Sequence, residues 1–313
     1  MLHFYRTDDQ RIHEEERMGD GVWVHMVQPT REETERVSRF TRVDADDLMA
    51  ALDEEESSRI ALSDDYTLIL VDIPAQEIRH EKRTYTTIPL GMILTRNMIV
   101  TVCTEDTPIL QRFVRNQVRE FSTKKRLRFV YQILFQTATL YQSNLRILDK
   151  KRLELEEAAM DNDDEIDLMA LHELESTLVY FATSLRANSA VLDRLTRYRR
   201  LEQYPDDQEL LGDVIVETQQ AIEMTTIYRD ILTGTRELLS SVINNRLNNA
   251  MKFLTSITLV MAIPTVISGL YGMNVDGQWM PLSTTAHGFS LICLLILIIC
   301  VIVLLILRKK RML

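Results

Sequence analysis

The hydrophobic pattern divides the chain sharply near residue 252. From Phe253 to Leu307 there are 55 residues and one formal charge, Asp276. Two nearly unbroken apolar stretches fall inside this region, Phe253–Met273 and Gly288–Leu307. Each is about 20 residues long, the length a helix needs to cross about 30 Å of hydrocarbon at about 1.5 Å per residue. Between them lie 14 residues, 274–287, rich in Gly, Ser, Thr and Pro. The pattern predicts transmembrane helices over 253–273 and 288–307, a connecting loop over 274–287 and a basic tail over 308–313.

Upstream, the first hundred residues alternate as strands and amphipathic helices do. Gly21–Val27 reads as a strand, and Thr30–Val43 as a helix with Thr30 as cap and Glu33 three residues on. Asp44–Glu56 reads as an acidic helix and turn. Tyr66–Ile73, Tyr85–Thr95 and Met98–Cys103 are rich in β-branched residues, with Thr95-Arg96-Asn97 as a hairpin connection between the last two. These residues form a mixed α/β region over 1–120.

After Thr107 the character changes. Pro108 suits a helical first turn, and from there to Lys252 glycine occurs only at 212 and 234. Phe129–Asp161 carries apolar residues at helical intervals and breaks at Asp161-Asn162-Asp163-Asp164-Glu165. Leu168–Leu201 follows as a second long helix, ended by Tyr204-Pro205-Asp206-Asp207. A third begins near Asp207 and meets no proline until Pro264. Carried through to Gly272 it is about 65 residues, on the order of 100 Å at helical rise. So long a helix implies a bundle or an oligomer. Residues 121–252 are therefore a helical region ending in a stalk.

Charge adds an orientation. Residues 1–252 hold 32 of the 36 basic and 45 of the 46 acidic side chains, a net charge of −13 within the chain's −10. Such a surface repels nucleic-acid phosphates and suits cations. Arg246 and Lys252 precede the first span, Arg308–Arg311 follow the second, and the loop between has no Lys or Arg. The positive-inside rule then places both termini in the cytoplasm. Met1–Arg6 lacks the apolar core of a secretory signal. Cys103, Cys293 and Cys300 make no disulfide or metal-finger pattern. No phosphate-binding glycine loop or nucleophile elbow is present, so an enzyme and ATP coupling are not expected.

The stalk and first span share a distinctive face. At spacings of three and four it passes through Glu237, Ser240 or Ser241, Asn244, Asn248, Met251, Leu254, Thr258, Ala262, Thr265 and Gly269. Phe253, Ile257, Val260, Val266 and Leu270 lie on the bulkier, apolar side. Small residues and threonines on a membrane face permit close helix packing. The same pattern would line a water-filled path at the axis of an oligomer, with Met251 and Leu254 as an apolar constriction. Pro264 removes one backbone hydrogen bond, a flaw tolerated where a neighbour or water satisfies the freed carbonyl.

Ile263-Pro264-Thr265-Val266-Ile267-Ser268-Gly269-Leu270-Tyr271-Gly272-Met273-Asn274 resembles the signature of the CorA family of divalent-cation channels, which share Gly-Met-Asn at the outer end of the first of two C-terminal membrane helices. The likeness continues upstream through Asn244–Thr255 and downstream to the basic tail. The resemblance implies an α+β cytoplasmic head, a long stalk helix and two C-terminal transmembrane helices in a funnel-shaped homopentamer. It implies passive Mg²⁺ influx through the cell membrane, with Co²⁺ and Ni²⁺ as further cargoes and no covalent cofactor. Asn274 then stands as the selectivity residue, with Gly272 giving room for close approach. Gly269, Thr265, Ala262, Thr258, Leu254, Met251, Asn248 and Asn244 line the pore, and Glu237 forms an acidic ring in the stalk. Family members are inhibited by cytoplasmic Mg²⁺ between neighbouring soluble domains. Asp213 is the candidate regulatory ligand, with a partner among Asp53, Glu54, Glu55 and Glu56.

Two positions depart from the family pattern. Leu282 follows Met280-Pro281 where many members carry an acid, with Asp276 as the other external charge, and Ala262 replaces a bulky methionine. A zinc transporter of the same two-span superfamily is the alternative function, although no His/Cys/Asp cluster has zinc-ligand spacing. A non-conducting, membrane-anchored coiled-coil scaffold would also need long helices and two spans, but has no use for Gly-Met-Asn at the mouth.

Overall fold

The computed structural model describes residues 1–313 except 9–10, 80–81, 162–166, 199–204, 277–279, 283–284, 286 and 311–313. Contacts divide it into two compact units, Met1–Thr235 and Arg236–Leu313.

The first unit is built on a seven-stranded sheet of β1 (Leu2–Asp8), β2 (Arg11–Glu14), β3 (Trp23–Val27), β4 (Arg59–Leu62), β5 (Tyr66–Arg79), β6 (Lys82–Thr95) and β7 (Ile99–Cys103), ordered β2-β1-β3-β7-β6-β5-β4. Only the β3–β7 pair is parallel; β5 and β6 form a long antiparallel hairpin. The expected connection between β6 and β7 is a tight turn in which the Thr95 amide donates to the Met98 carbonyl at 3.0 Å. Alternation along the strands sends Leu68, Leu70, Ile93, Val100 and Val102 to one face, where they meet Val37, Val43, Leu48 and Ala51. Those four belong to α1 (Arg31–Thr41), its following loop, α2 (Ala45–Met49) and the short 3₁₀ turn Ala50–Leu52. Thr30 and Glu33 form the expected reciprocal cap on α1. Gly91 is required on this face: a Cβ there would come within 2.9 Å of the Ala51 methyl.

The opposite face carries Trp23, Ile69, Val71, Ile73, Leu90, Met92 and Ile99 against the helices. Trp23 is the centre of that core, fully buried among Phe113, Phe121 and Phe129, with its indole N–H donating to Thr101 Oγ1 at 2.8 Å. The covering helices are α3 (Pro108–Val114), α4 (Arg126–Asp161), α5 (Leu168–Leu195) and the first part of α6 (Pro205–Tyr271). Residues on both sides of position 120 therefore share one core. The long-helix expectations hold, but α5 ends at Leu195; positions 199–201 of the expected helix lie outside the described residues.

Along α6 the buried positions Asp207, Leu211, Val214, Thr218, Ala221, Thr225, Leu232 and Thr235 recur at steps of three, four and once seven residues, one helix face. Arg128 meets Asp207 at 3.4 Å, Gln142 donates to the Glu217 carbonyl at 3.0 Å, and Arg152 donates to Thr235 Oγ1 at 3.2 Å. These ties advance in the same direction along both helices, so α4 and α6 run parallel.

The sequence reading missed β1, β2 and β4. They are short, carry charged residues at or near the sheet margin, and owe their conformation to pairing rather than propensity. β1 brings His3 opposite His25 of β3. His25 is buried, hydrogen-bonded to Thr101 Oγ1 at 3.0 Å and 4.0 Å from Asp106. Burial pushes its pKa down to about 4; Asp106 opposes the shift, while His3 and the N-terminal ammonium add repulsion. Between pH 6.5 and 4 the unfolded chain binds a proton that folded His25 refuses, so stability present above pH 6.5 falls as pH drops through that window. The full effect is about 3 kcal/mol at 1.36 kcal/mol per pKa unit. Urea midpoints at pH 7 and pH 5 check this: the wild type should lose more stability between them than His25→Gln does.

In the second unit the remainder of α6 is accompanied by α7 (Gly288–Lys309). Both α6 and α7 are long and apolar enough to cross a membrane. Within the membrane span the sheltered positions of α6 are Ser256, Val260, Ile263, Pro264, Ile267 and Tyr271; those of α7 are Gly288, Ile292, Ile296, Ile299, Cys300, Val303 and Leu307. Each set recurs at helical spacing and forms a single seam.

Candidate functional site

The expected small-and-polar face of α6 stays open. Met251, Leu254, Thr258, Ala262, Thr265 and Gly269 are all exposed. At about 100° per residue they lie roughly half a turn from the seam defined by Ser256, Val260 and Ile267. Val260, read from sequence as one of the bulky positions opposite this face, lies opposite it in the structure and is half-buried in the seam. Of the other bulky positions, Phe253, Ile257, Val266 and Leu270 are exposed. Fully buried Ser256 was not anticipated, because a lone serine in an apolar run carries no periodic signal.

The threonines on the open face have a defined polarity. Thr258 donates its hydroxyl proton to the Leu254 carbonyl at 2.8 Å, and Thr265 donates to the Met261 carbonyl at 2.9 Å. With its proton so engaged, each hydroxyl presents acceptor lone pairs to the face. Such an arrangement suits cations and their coordinated water. Gly269 adds space: a Cβ built there would meet nothing within 4 Å in this chain.

At the end of α6 the Gly272 amide makes a last helical bond to the Ser268 carbonyl at 2.9 Å. A Cβ at Gly272 would press to 3.3 Å from that same carbonyl oxygen. The Val275 amide then donates to the Met273 carbonyl at 3.0 Å, closing a three-residue turn around Asn274. Asn274 is exposed, and its side-chain amide has no hydrogen-bond partner among the described residues. The Tyr271 hydroxyl donates to the Pro281 carbonyl at 2.8 Å, tying the helix end to the loop, so Tyr271 has a structural task. Leu282 has a positive φ of 66°, and Asp276 is exposed.

Further along α6, Glu237, Asn244 and Asn248 are exposed. Asp213 is exposed in the first unit, and no group of three His, Cys, Asp or Glu side chains is placed to hold a metal among the described residues. The acidic run considered as its partner has local engagements: Asp53 accepts the Glu55 amide at 3.0 Å, and Glu56 pairs with Arg59. Within one chain the structure does not bring Asp213 and that run together as a ligand set.

Three comparisons bear on this arrangement. The profile described as CorA-like Mg2+ transporter protein matches residues 19–309. A cobalt/magnesium transport protein CorA of Methanocaldococcus jannaschii is 31% identical over 283 residues, covering 88% of this chain and 86% of the relative. One from Thermotoga maritima is 23% identical, over 87% of this chain and 77% of the relative. The complete structure of the CorA magnesium transporter from M. jannaschii superposes with a TM-score of 0.82 at 27% identity, covering 99% of this chain and 98% of that one. The ZntB cytoplasmic domain from Vibrio parahaemolyticus, at 11% identity and a TM-score of 0.51, is similar in fold alone.

Proposed function

The chain belongs to the CorA-like Mg2+ transporter family, and from that membership we propose that it carries Mg²⁺, with Co²⁺ as a second cargo, across a membrane. Members of the family are ion transporters rather than enzymes. The observation that carries the reading is the open face of α6, continuous at helical spacing from Met251 to Gly269 and ending at exposed Asn274, whose side-chain amide has no partner among the described residues.

In this reading five chains assemble as a funnel-shaped homopentamer in the cell membrane, and α6 of each turns its open face to a common axis. Met251 and Leu254 form an apolar constriction, with Asn244, Asn248 and Glu237 continuing the path on the cytoplasmic side. Mg²⁺ sheds water reluctantly and demands near-octahedral coordination. A ring of Asn274 side-chain oxygens accepts hydrogen bonds from the ion's own water shell without stripping it, and Gly272 lets the five chains approach. The hydroxyls of Thr258 and Thr265 offer further weak acceptors along the way. Conduction needs sites weak enough to leave. Ni²⁺, similar in size and hydration, would pass the same filter. Both termini lie in the cytoplasm and the loop outside. The curated relatives are named for cobalt and magnesium, so the zinc alternative is not favoured.

The test is flux of the purified full-length protein in liposomes. Mg²⁺ and Co²⁺ entry with no added energy source supports the reading; no entry of either ion overturns it.

Inhibition by cytoplasmic Mg²⁺ at Asp213, bridging to a neighbouring subunit, is the regulatory part of the proposal. Ligand binding to the folded state raises stability by mass action. Millimolar Mg²⁺ should therefore slow proteolysis of the wild-type protein, and Asp213→Lys should lose most of that protection. Equal protection in both proteins would remove Asp213 from the ligand set.

A further inference from the structure

Pro264 lies within α6 and has no backbone N–H, so the carbonyl four residues earlier, that of Val260, loses its helical donor. In a bilayer no water replaces that donor, and an unsatisfied backbone carbonyl costs several kcal/mol. The freed carbonyl lies on the side of α6 that faces α7. There the thiol of Cys300 approaches with its sulfur 3.8 Å from the Val260 oxygen, as donor. Both residues are half-buried in the α6–α7 seam.

We propose that Cys300 is a positioning residue for the transport helix, its S–H occupying the backbone acceptor that Pro264 leaves open. Pro264 weakens α6 at the level of Ala262 and Thr265, within the open face. The thiol returns one hydrogen bond at that weak point and does so from the neighbouring helix. The course of α6 past Pro264 is thereby referenced to α7, and the direction of Ala262, Thr265 and Gly269 with it. A second polar tie, from Tyr271 to the Pro281 carbonyl, holds the far end of the same seam. Between two membrane helices, rotation is set by side-chain packing together with interhelical hydrogen bonds, and these ties add to the packing. Cysteine suits the position because it packs as a small apolar group while keeping one weak donor.

This inference rests on the transport reading for its functional consequence, but its geometry is tested separately. With Cys103 and Cys293 replaced by Ala, the S–H infrared stretching band of the full-length protein reports Cys300 alone. The band should lie at the lower frequency of a hydrogen-bonded thiol, and Pro264→Ala should return it toward the free-thiol frequency. A free-thiol band in the parent overturns the proposal whatever the flux. For function, Cys300→Val should reduce Mg²⁺ flux about threefold, Cys300→Ser should restore it, and in a Pro264→Ala background Cys300→Val should have no further effect. Equal flux loss for Val and Ser, or an undiminished Cys300→Val effect beside Pro264→Ala, would reduce Cys300 to simple packing and sink the idea. If no protein conducts while the infrared result holds, the transport reading fails and the hydrogen bond stands.

Discussion

Asn274→Ala is expected to lower Mg²⁺ flux at least tenfold in liposomes while leaving the protein folded and assembled. The asymmetry follows from the local structure. The Asn274 side chain is exposed and has no partner among the described residues, so truncation removes no hydrogen bond among them. The turn around it is closed by the Val275 amide and the Met273 carbonyl, both backbone groups that alanine retains. Its amide oxygen is available to the ion's water shell, and a hydrogen bond to a charged partner contributes about 1.5–3 kcal/mol. Loss of that contact from the proposed ring exceeds the roughly 1.4 kcal/mol that corresponds to tenfold. Asn274→Asp should act differently. A carboxylate holds the ion more tightly and slows its release, so divalent affinity rises while throughput falls. Flux measured over a range of Mg²⁺ concentrations separates the two variants. Wild-type flux in Asn274→Ala at all concentrations would remove Asn274 from the ion's path.

The candidate site was legible in the sequence because both of its signals are local. A membrane span declares itself by composition over 20 residues, and Gly-Met-Asn declares itself by its place at the end of one. The open face of α6 was readable for the same reason: Thr258, Ala262, Thr265 and Gly269 recur at helical spacing whatever surrounds them. What escaped depends on distant partners. Val260 was read as a bulky position opposite the open face, but nothing in its side chain reveals that its carbonyl meets Cys300 across the α6–α7 seam. Ser256 is buried in an otherwise apolar run that gives no periodic warning.

In the head, β5, β6 and β7 were visible through β-branched runs buried on both faces. β1 was not, since His3, Arg6 and Asp8 break its apolar alternation and its conformation comes from pairing with β2 and β3. The split between residues 1–120 and the helices that follow also reflects sequence character rather than packing. Trp23 of the sheet packs against Phe129 of α4 with ring centroids 5.0 Å apart. No residue-type pattern announces that contact across more than a hundred positions.

Two glycines at the membrane hairpin should respond in opposite ways to the same added methyl. At Gly288, the first residue of α7, a Cβ would overlap the Leu282 carbonyl oxygen and stand 2.8 Å from Thr285 Oγ1. Neither neighbour yields easily. Leu282 already holds a positive φ of 66°, and its carbonyl accepts the Thr285 hydroxyl at 2.8 Å. Gly288→Ala must therefore distort the loop that also anchors Tyr271 through Pro281. Forced overpacking of this kind costs about 1–3 kcal/mol and at times more. Lower thermal stability in detergent and a matching loss of flux are the expected result. At Gly269 the added methyl meets nothing in the chain, so Gly269→Ala should fold and melt like the wild type. Any change it makes in flux then arises from what faces that position in the assembled protein, either a neighbouring helix or the ion's path. Enlarging the side chain to Leu should deepen a flux defect progressively if the path is there. Measuring stability and flux on Gly288→Ala, Gly269→Ala and Gly269→Leu together separates a damaged hairpin from an obstructed pore. A Gly288→Ala protein as stable as the parent would overturn the loop geometry, and normal flux in Gly269→Leu would remove that face from the pore.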